Sequence, residues 1–432
     1  MEDGLKKRLL SISYIATIFY SLHYFALYFV LSSFLSQYFS KATLSILFAC
    51  SALLSIVASN VFGKSLKRFS NQKILLVILF VQFIVTLFLA GSSETNTIVI
   101  AMLFVLHMIL YTLISVSVNV FVEEFSDHEN IGSIRGTMLT IYNFGAIASP
   151  FISAQIFNLV GYSGLFVLSS VALLPLIFIT KRFFSNIKEP KYKHIGLKNS
   201  FRTVLKDKNI RGVIASSFIL NSFYAAINVY LALYLLNTIG IPPSLYLGLI
   251  VPITVIPFIL IPYELGKYSD ELFGEKTAMM IGIFILSITL LSIPIFNITT
   301  NNIFIWITIL FIGRIGATIT ETENYAYFYK KIDGRSAGLI ALFQNMVNIS
   351  FIFVTILGAL LINLFNIDLP IIFLIIGILG LFSIFIIIKI RDTEIKRRHV
   401  IAKANRDIKN EEEAKEAIAE AEWEIIKNNK LK

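Results

Sequence analysis

Twelve long apolar stretches, each able to cross a lipid bilayer as a helix, dominate the chain. Crossing the hydrocarbon core takes about 20 such residues. The stretches lie at 9–35, 44–62, 74–90, 97–122, 137–160, 164–183, 212–236, 245–265, 277–296, 302–328, 337–364 and 369–390, numbered α1 to α12 in that order. None shows the in-out alternation of a membrane β-strand. The first is flanked by basic residues, but it is too long for a signal peptide and lacks a small-residue cleavage site. It is read as the first membrane helix. Only 15% of the residues are charged and 56% are hydrophobic. A soluble chain of this size carries about 25% charged residues, so a soluble enzyme and a disordered chain are excluded. The single cysteine, Cys50, lies inside α2 and excludes a disulfide scaffold.

The net charge of +10 would point to nucleic acid in a soluble protein. Here its distribution reports topology instead, and no nucleic-acid partner is expected. With the N-terminus in the cytoplasm, all but two of the 37 Lys and Arg fall in cytoplasmic segments. The exceptions are Lys41, outside, and Arg314, within α10. One missed span would invert every later loop, so the count and the charges support each other. Both termini are expected in the cytoplasm, in the plasma or inner membrane of a cell. The chain divides into an N-terminal six-helix bundle (1–180), a basic linker (181–211), a C-terminal six-helix bundle (212–390) and a charged tail (391–432). In the tail, the run around 411–426 reads as a soluble helix with an apolar edge.

An internal repeat marks the two halves. After α2 the chain runs Gly63-Lys64 and reaches Arg68 and Lys73; after α8 it runs Gly266-Lys267 and reaches Asp270, Gly274 and Lys276. Both loops begin Gly-Lys, place a Lys ten residues later and occupy the same position in their half. Such repeats are a signature of transporters. The sequence here resembles the major facilitator superfamily, over about residues 1–390. That resemblance implies two pseudo-symmetric bundles and a loop whose acid latches the cytoplasmic ends of neighbouring helices. The second copy fits with Gly266, Asp270 and Gly274. The first departs, with Lys67 where the acid belongs and Ser70 where the second Gly belongs. In α5, Gly145, Ser149 and Pro150 resemble the small-residue, Pro-containing motif of family exporters. Ordinary close packing of helices accounts for the same residues.

Ionisable groups inside a membrane are costly, so they pair or do work. In α10, Arg314, Thr318, Glu321 and Tyr325 recur on one helical face, with Arg314 and Glu321 about 10 Å apart along the axis. That is too far for easy direct contact. The arrangement reads either as a cavity-lining pair, with Glu321 carrying protons, or as a structural pair that fixes α10. Glu323, His23 and His107 are further proton-coupling candidates; a packing histidine is the alternative for the last two. Candidate cavity residues are Arg314, Tyr20 and Tyr24 of α1, Tyr111 of α4, Asn221, Tyr224 and Asn228 of α7, Tyr325, and Gln344 and Asn348 of α11. The resemblance implies that α1, α4, α7 and α10 line the cavity. Unlike many proton-coupled members, the N-terminal half has no embedded acid.

No nucleotide-binding loop, metal-ligand cluster or catalytic triad is present, so neither a cofactor nor a metal is expected. The short outer loops argue against a membrane-embedded transferase. The expectation is a monomeric, non-enzymatic secondary transporter that moves a small organic solute by alternating access. Proton antiport with export is the favoured coupling. A facilitative uniporter is the alternative, and a lipid flippase of another twelve-helix fold a more distant one.

Overall fold

The computed structural model describes residues 3–66, 68–91, 96–125, 131–185, 198–268, 274–331, 337–365 and 368–391, with Glu420 and Trp423 of the tail. The tail helix expected around 411–426 and the loop residues Lys67 and Asp270 lie outside the described residues. Among the described residues every regular element is helical. This follows from the solvent, because hydrocarbon offers no partner to a backbone N–H or C=O, and a helix satisfies both internally.

The observed helices are α1 at Asp3–Tyr28, α2 at Lys41–Ser65, α3 at Asn71–Ala90 and α4 at Thr97–Phe125. α9 spans Glu275–Ile295, α10 Ile303–Lys331 and α12 Pro370–Ile387. The expected α11 is two pieces, Ala337–Gln344 and Met346–Phe365. Among the described residues, eleven helices are long and apolar enough to cross a membrane, and one of them, Thr137–Phe183, has 47 residues. At 1.5 Å per residue a straight helix of that length would be more than twice as long as the bilayer core is thick. It breaks at Gly161, whose φ of 64° and ψ of −151° are non-helical. Hydrogen bonds show that the chain reverses there. Ser149 and Ser153 donate to Leu22 and Ala26 of α1 in ascending order, whereas Tyr162 and Ser169 meet Ser33 and His23 in descending order. The arms on either side of Gly161 are therefore α5 and α6.

Several helices are irregular where the sequence reads as continuous. α1 stops at Tyr28, and after a turn at Phe29 and Val30 a short helix, Leu31–Leu35, completes the crossing. α7 begins as Lys208–Ala225 and widens into two π-helical segments, Ala226–Leu231 and Tyr234–Thr238. α8 is assembled from Pro243–Leu245, the π segment Tyr246–Ile250, Val251–Val255 and Pro257–Tyr268. Pro252, Pro257 and Pro262 lack the N–H that a regular helix needs there. Between α6 and α7, the linker carries an amphipathic helix, Lys198–Lys206.

The two halves meet along α2 with α11 and along α5 with α8. Ala154 faces Gly248, and Asn143 Nδ2 lies 3.4 Å from the Phe258 carbonyl. These pairs run antiparallel, so the start of α5 and the end of α8 lie on one side. Tyr14 OH reaches the Ile134 carbonyl, and the Arg391 N–H donates to Asn209 Oδ1. The first and last described helices thus start and finish on that same side. Outward, Phe80, Phe88, Phe178 and Phe382 are more than half exposed, as a lipid-facing surface requires.

Close approach depends on small residues. At the α9–α10 crossing a Cβ added to Gly282 would stand 2.7 Å from the Gly316 carbonyl, and the reverse also holds. A Cβ on Gly145 of α5 would collide with the Ser21 side chain of α1. Gly145→Val is expected to destabilise the protein by about 1–3 kcal/mol, as overpacking does. Adding Ser21→Gly should recover part of that loss. Thermal unfolding of the detergent-solubilised variants checks this, and equal Tm values for wild type and Gly145→Val would contradict the packing.

Candidate functional site

Where the two halves face each other, the interior turns polar. In α10, Arg314 keeps only 7% of its surface exposed. Its guanidinium lies 5.6 Å from the Tyr224 ring centroid and 5.8 Å from that of Phe258 in α8. Among the described residues it has no hydrogen-bond partner and no ion pair. A desolvated guanidinium over two ring faces gains about 2 kcal/mol or more from the ring quadrupoles, which only partly offsets leaving water. Two turns further along α10, Glu321 Oε2 accepts a 2.7 Å hydrogen bond from Tyr224 OH. Tyr224 therefore touches both charged groups, one through its ring face and one through its hydroxyl.

The wide turns of α7 bring a second group to this layer. Asn228, buried in the first π segment, donates through Nδ2 to Tyr28 OH at 2.6 Å and to the Tyr224 carbonyl at 2.7 Å. Its Oδ1 is buried with no partner. The Tyr28 bond links the two halves. On the N-terminal side the wall is aromatic. Tyr24 stacks on Tyr28 at 4.4 Å and on Tyr111 at 4.1 Å, and Tyr20 stacks on Tyr111 and on Tyr142 of α5. Together these groups form an aromatic-walled layer that holds, among the described residues, a cation, a carboxyl and an amide oxygen without a partner.

Further from the termini, the halves are joined by hydrogen bonds. Ser33 Oγ donates to Asn237 Oδ1, Asn237 Nδ2 to Ser36 Oγ, Ser32 Oγ to the Asn228 carbonyl and Tyr230 OH to Ser45 Oγ. A cavity of about 370 Å³ lies beside them, lined by Ser33, Ser36, Tyr162 and Asn237 among others.

The structure thus brings together Tyr20, Tyr24, Tyr111, Tyr224, Asn228, Arg314 and Glu321. It does not bring in every expected residue. Asn221 spends its amide on Ser217 of its own helix. Tyr325 is 43% exposed and packs edge-on against Phe343, and Gln344 is exposed and Asn348 half-buried. Thr318 donates to the Arg314 carbonyl. Glu323 is fully buried but lies two residues from Glu321, on another face of α10. His23 and His107 sit inside the N-terminal bundle, bridged by Gln82 of α3. Tyr28, Tyr142, Phe258 and Gln82 were not among the expected site residues. Tyr28 shares the i, i+4, i+8 spacing of Tyr20 and Tyr24, but nothing in α3, α5 or α8 singles out the other three.

The loop motifs have separate roles. Gly145, Ser149 and Pro150 are buried against α1. Gly63 lies at the end of α2, while Lys64, Arg68 and Lys73 are exposed. Ser70 caps α3, its Oγ accepting from the Lys73 N–H. Gly266 and Lys267 belong to the last turn of α8. Gly274 has φ 76° and ψ 152°, a region open essentially to glycine alone. It starts α9 at Glu275, which is 1% exposed and 3.0 Å from Lys330 at the end of α10. The next residue, Lys276, is half-buried. In this half, then, Glu275 supplies an acid that ties neighbouring helix ends.

This fold and buried polar layer define a multi-pass membrane transport protein. The Major Facilitator Superfamily model matches residues 13–340, and the chain belongs to that family. It is 24% identical over 341 residues to the MFS-type transporter SLC18B1 of Rattus norvegicus, covering 74% of this chain and 73% of that one. Its fold is similar to that of an auto-inhibited POT family peptide transporter, with a TM-score of 0.73 at 9% identity, covering 90% of this chain and 98% of that one. It is also similar to a bacterial homologue of the iron transporter ferroportin in its inward-facing state, with a TM-score of 0.67 at 13% identity, covering 88% and 98%.

The Tyr224–Glu321 bond is expected to hold α7 to α10. Tyr224→Phe and Glu321→Leu should each lower stability, and the double variant should lose less than their sum, with a coupling of about 1–3 kcal/mol. Additive losses in thermal unfolding would mean that the bond does not form in the membrane protein.

Proposed function

We propose that this protein is a secondary transporter that moves a small organic solute through the α1, α4, α7 and α10 layer by alternating access. The 1–180 and 212–390 bundles rock about that layer. Their terminal side faces the cytoplasm, as the basic loops require, in the plasma or inner membrane. The observation that carries the reading is the shared contact of Tyr224 with Arg314 and Glu321, at the place where Asn228 bridges to Tyr28. Buried charges cost several kcal/mol in a bilayer. Helix packing alone does not call for a guanidinium and a carboxyl in the one layer shared by both halves.

We infer coupling to protons by antiport, with Glu321 as the carrier. Its carboxyl has a single described hydrogen-bond donor, Tyr224, and a fixed cation two turns away. Proton loss would be met by both, and proton gain would free the Tyr224 hydroxyl for solute. The aromatic walls suit a solute with an apolar or aromatic body. Arg314 disfavours a bare metal cation as cargo by charge repulsion. Facilitated diffusion is the second reading, since Tyr224 and Arg314 could keep Glu321 ionised throughout the cycle.

Proteoliposomes loaded with a pH-sensitive dye and screened against a compound library separate the two. Antiport predicts solute-dependent proton movement that Glu321→Gln abolishes while the protein stays folded. Solute uptake without a dye response means uniport. Gradient-driven transport by Glu321→Gln at the wild-type rate removes Glu321 from the coupling. Arg314→Ala is expected to reduce solute binding at least ten-fold whichever coupling holds.

A further inference from the structure

One buried cluster stands apart from the central layer. His23 of α1, Gln82 of α3, His107 of α4 and Ser169 of α6 meet inside the N-terminal bundle, with the imidazoles 1% and 4% exposed. Their hydrogen bonds fix which atoms carry protons. Ser169 Oγ donates to the His23 carbonyl at 2.9 Å, so its lone pairs remain for His23 Nδ1 at 2.7 Å. The Ser169 carbonyl is 3.0 Å from the same nitrogen. His23 Nδ1 faces two acceptors and therefore bears the hydrogen, which leaves a lone pair on Nε2 of the neutral ring. That lone pair faces Gln82 Nε2 at 3.1 Å. The same amide nitrogen lies 2.8 Å from His107 Nδ1. Both amide hydrogens are used, and Gln82 Oε1 is buried with no partner.

This orphan oxygen makes the cluster asymmetric. We propose that His23, Gln82 and His107 form a proton-binding site with the Gln82 amide as its switch. One proton from water binds His23 Nε2, giving an imidazolium. The amide turns over, and Oε1 then accepts from His23 Nε2–H and from His107 Nδ1–H, His107 having exchanged its Nε2 hydrogen for one on Nδ1. The two Gln82 Nε2–H bonds to imidazole nitrogen are exchanged for two N–H bonds to Oε1, one of them charge-assisted, and the NH2 turns to the place the oxygen left. The side chains in contact with the pair are Gln82 of α3 and Ser169 of α6, and each imidazole also meets the other edge-on. Among the described residues no carboxylate, ammonium or guanidinium faces either ring. α2, which packs on α4, has no charged residue between Lys41 and Lys64. The added charge is thus met by the amide and by Ser169 alone.

The site lies next to the transport layer along α1 and α4. His23 adjoins Tyr24 in α1, and His107 lies one turn from Tyr111 in α4. The two imidazoles and the Tyr24–Tyr111 stack are neighbouring rungs between the same two helices. Reorienting the amide changes the spacing of one rung, and the other is the aromatic wall of the site. This coupling rests on the reading of that wall as the solute surface; proton binding itself does not.

The test is a titration of the full-length, ¹⁵N-histidine-labelled protein in lipid nanodiscs, from about pH 8 to about pH 5. At the neutral end His23 should appear as the Nδ1–H tautomer and His107 as the Nε2–H tautomer. On acidification both should change with one shared midpoint, as coupled groups do. Gln82→Leu should abolish the shared midpoint, and Gln82→Glu should hold the proton at least ten-fold more tightly. Ring signals of Tyr24 and Tyr111 should follow the same midpoint. Histidines that stay neutral throughout, or titrate identically in Gln82→Leu, overturn the proton site. Tyrosine signals that ignore the midpoint overturn its link to the wall. No solute is needed, so failure here leaves the Glu321 reading standing, and failed transport leaves the titration intact.

Discussion

Every part of this structure answers to one constraint: hydrocarbon supplies no hydrogen bonds. The backbone must satisfy itself, which makes the described elements helical, and polar side chains must find partners within the bundle. Most do so cheaply, by bonding one turn back along their own helix, as Ser13, Ser51, Thr112, Thr180 and Thr355 do. Against that background the groups that reach across helices are few. Three sets of them involve charged groups, amides or imidazoles deep in the protein: the Arg314–Tyr224–Glu321 layer, the serine and asparagine bonds that close the halves, and the His23–Gln82–His107 cluster. Each is costly to bury, and among the described residues each leaves a group short of a hydrogen bond: the Arg314 guanidinium on its two rings, Asn228 Oδ1 and Gln82 Oε1.

The irregular backbone lies where those groups are. α7 widens at Asn228, and its side chain then reaches both the Tyr224 carbonyl and Tyr28. Such wide turns are rare and tend to occur at functional sites. α8 is divided into short segments on the other side of the layer and supplies Phe258 beneath Arg314. Elsewhere, close approach comes from glycine and serine: Gly282 on Gly316, Gly145 on Ser21. Helices in lipid associate through tight packing and polar contacts, because lipid tails are as apolar as leucine. The small residues of α5 take part in that packing, Gly145 against Ser21, while Ser149 and Ser153 bond the α1 backbone.

The two copies of the Gly-Lys loop show how one position serves different ends. Where the first copy has Ser70, a serine cap starts α3. Where the second has Gly274, the chain takes a conformation that a side chain would strain, and this places Glu275 against Lys330. The acid that ties the helix ends in the second half lies at the start of α9, nine residues after Gly266.

Much of the architecture was determined by the sequence alone. Apolar length marked the spans, since bilayer thickness fixes helix length, and the Lys and Arg distribution predicts which loops face the cytoplasm. The face shared by Arg314 and Glu321, and the stripe of Tyr20 and Tyr24, follow from helical periodicity within single elements. What only the tertiary structure decided is which faces meet. Gln82 is one amide in an apolar helix until α1 and α4 bring a histidine to each side of it. Phe258 is one of 38 phenylalanines until α8 sets it under a guanidinium. Tyr325 shares the helical face of Glu321 yet ends exposed against Phe343, because the face it needed to meet belongs to another part of the bundle. Periodicity is a property of one helix, whereas a site is a property of several, and their packing is fixed by contacts far apart in the chain.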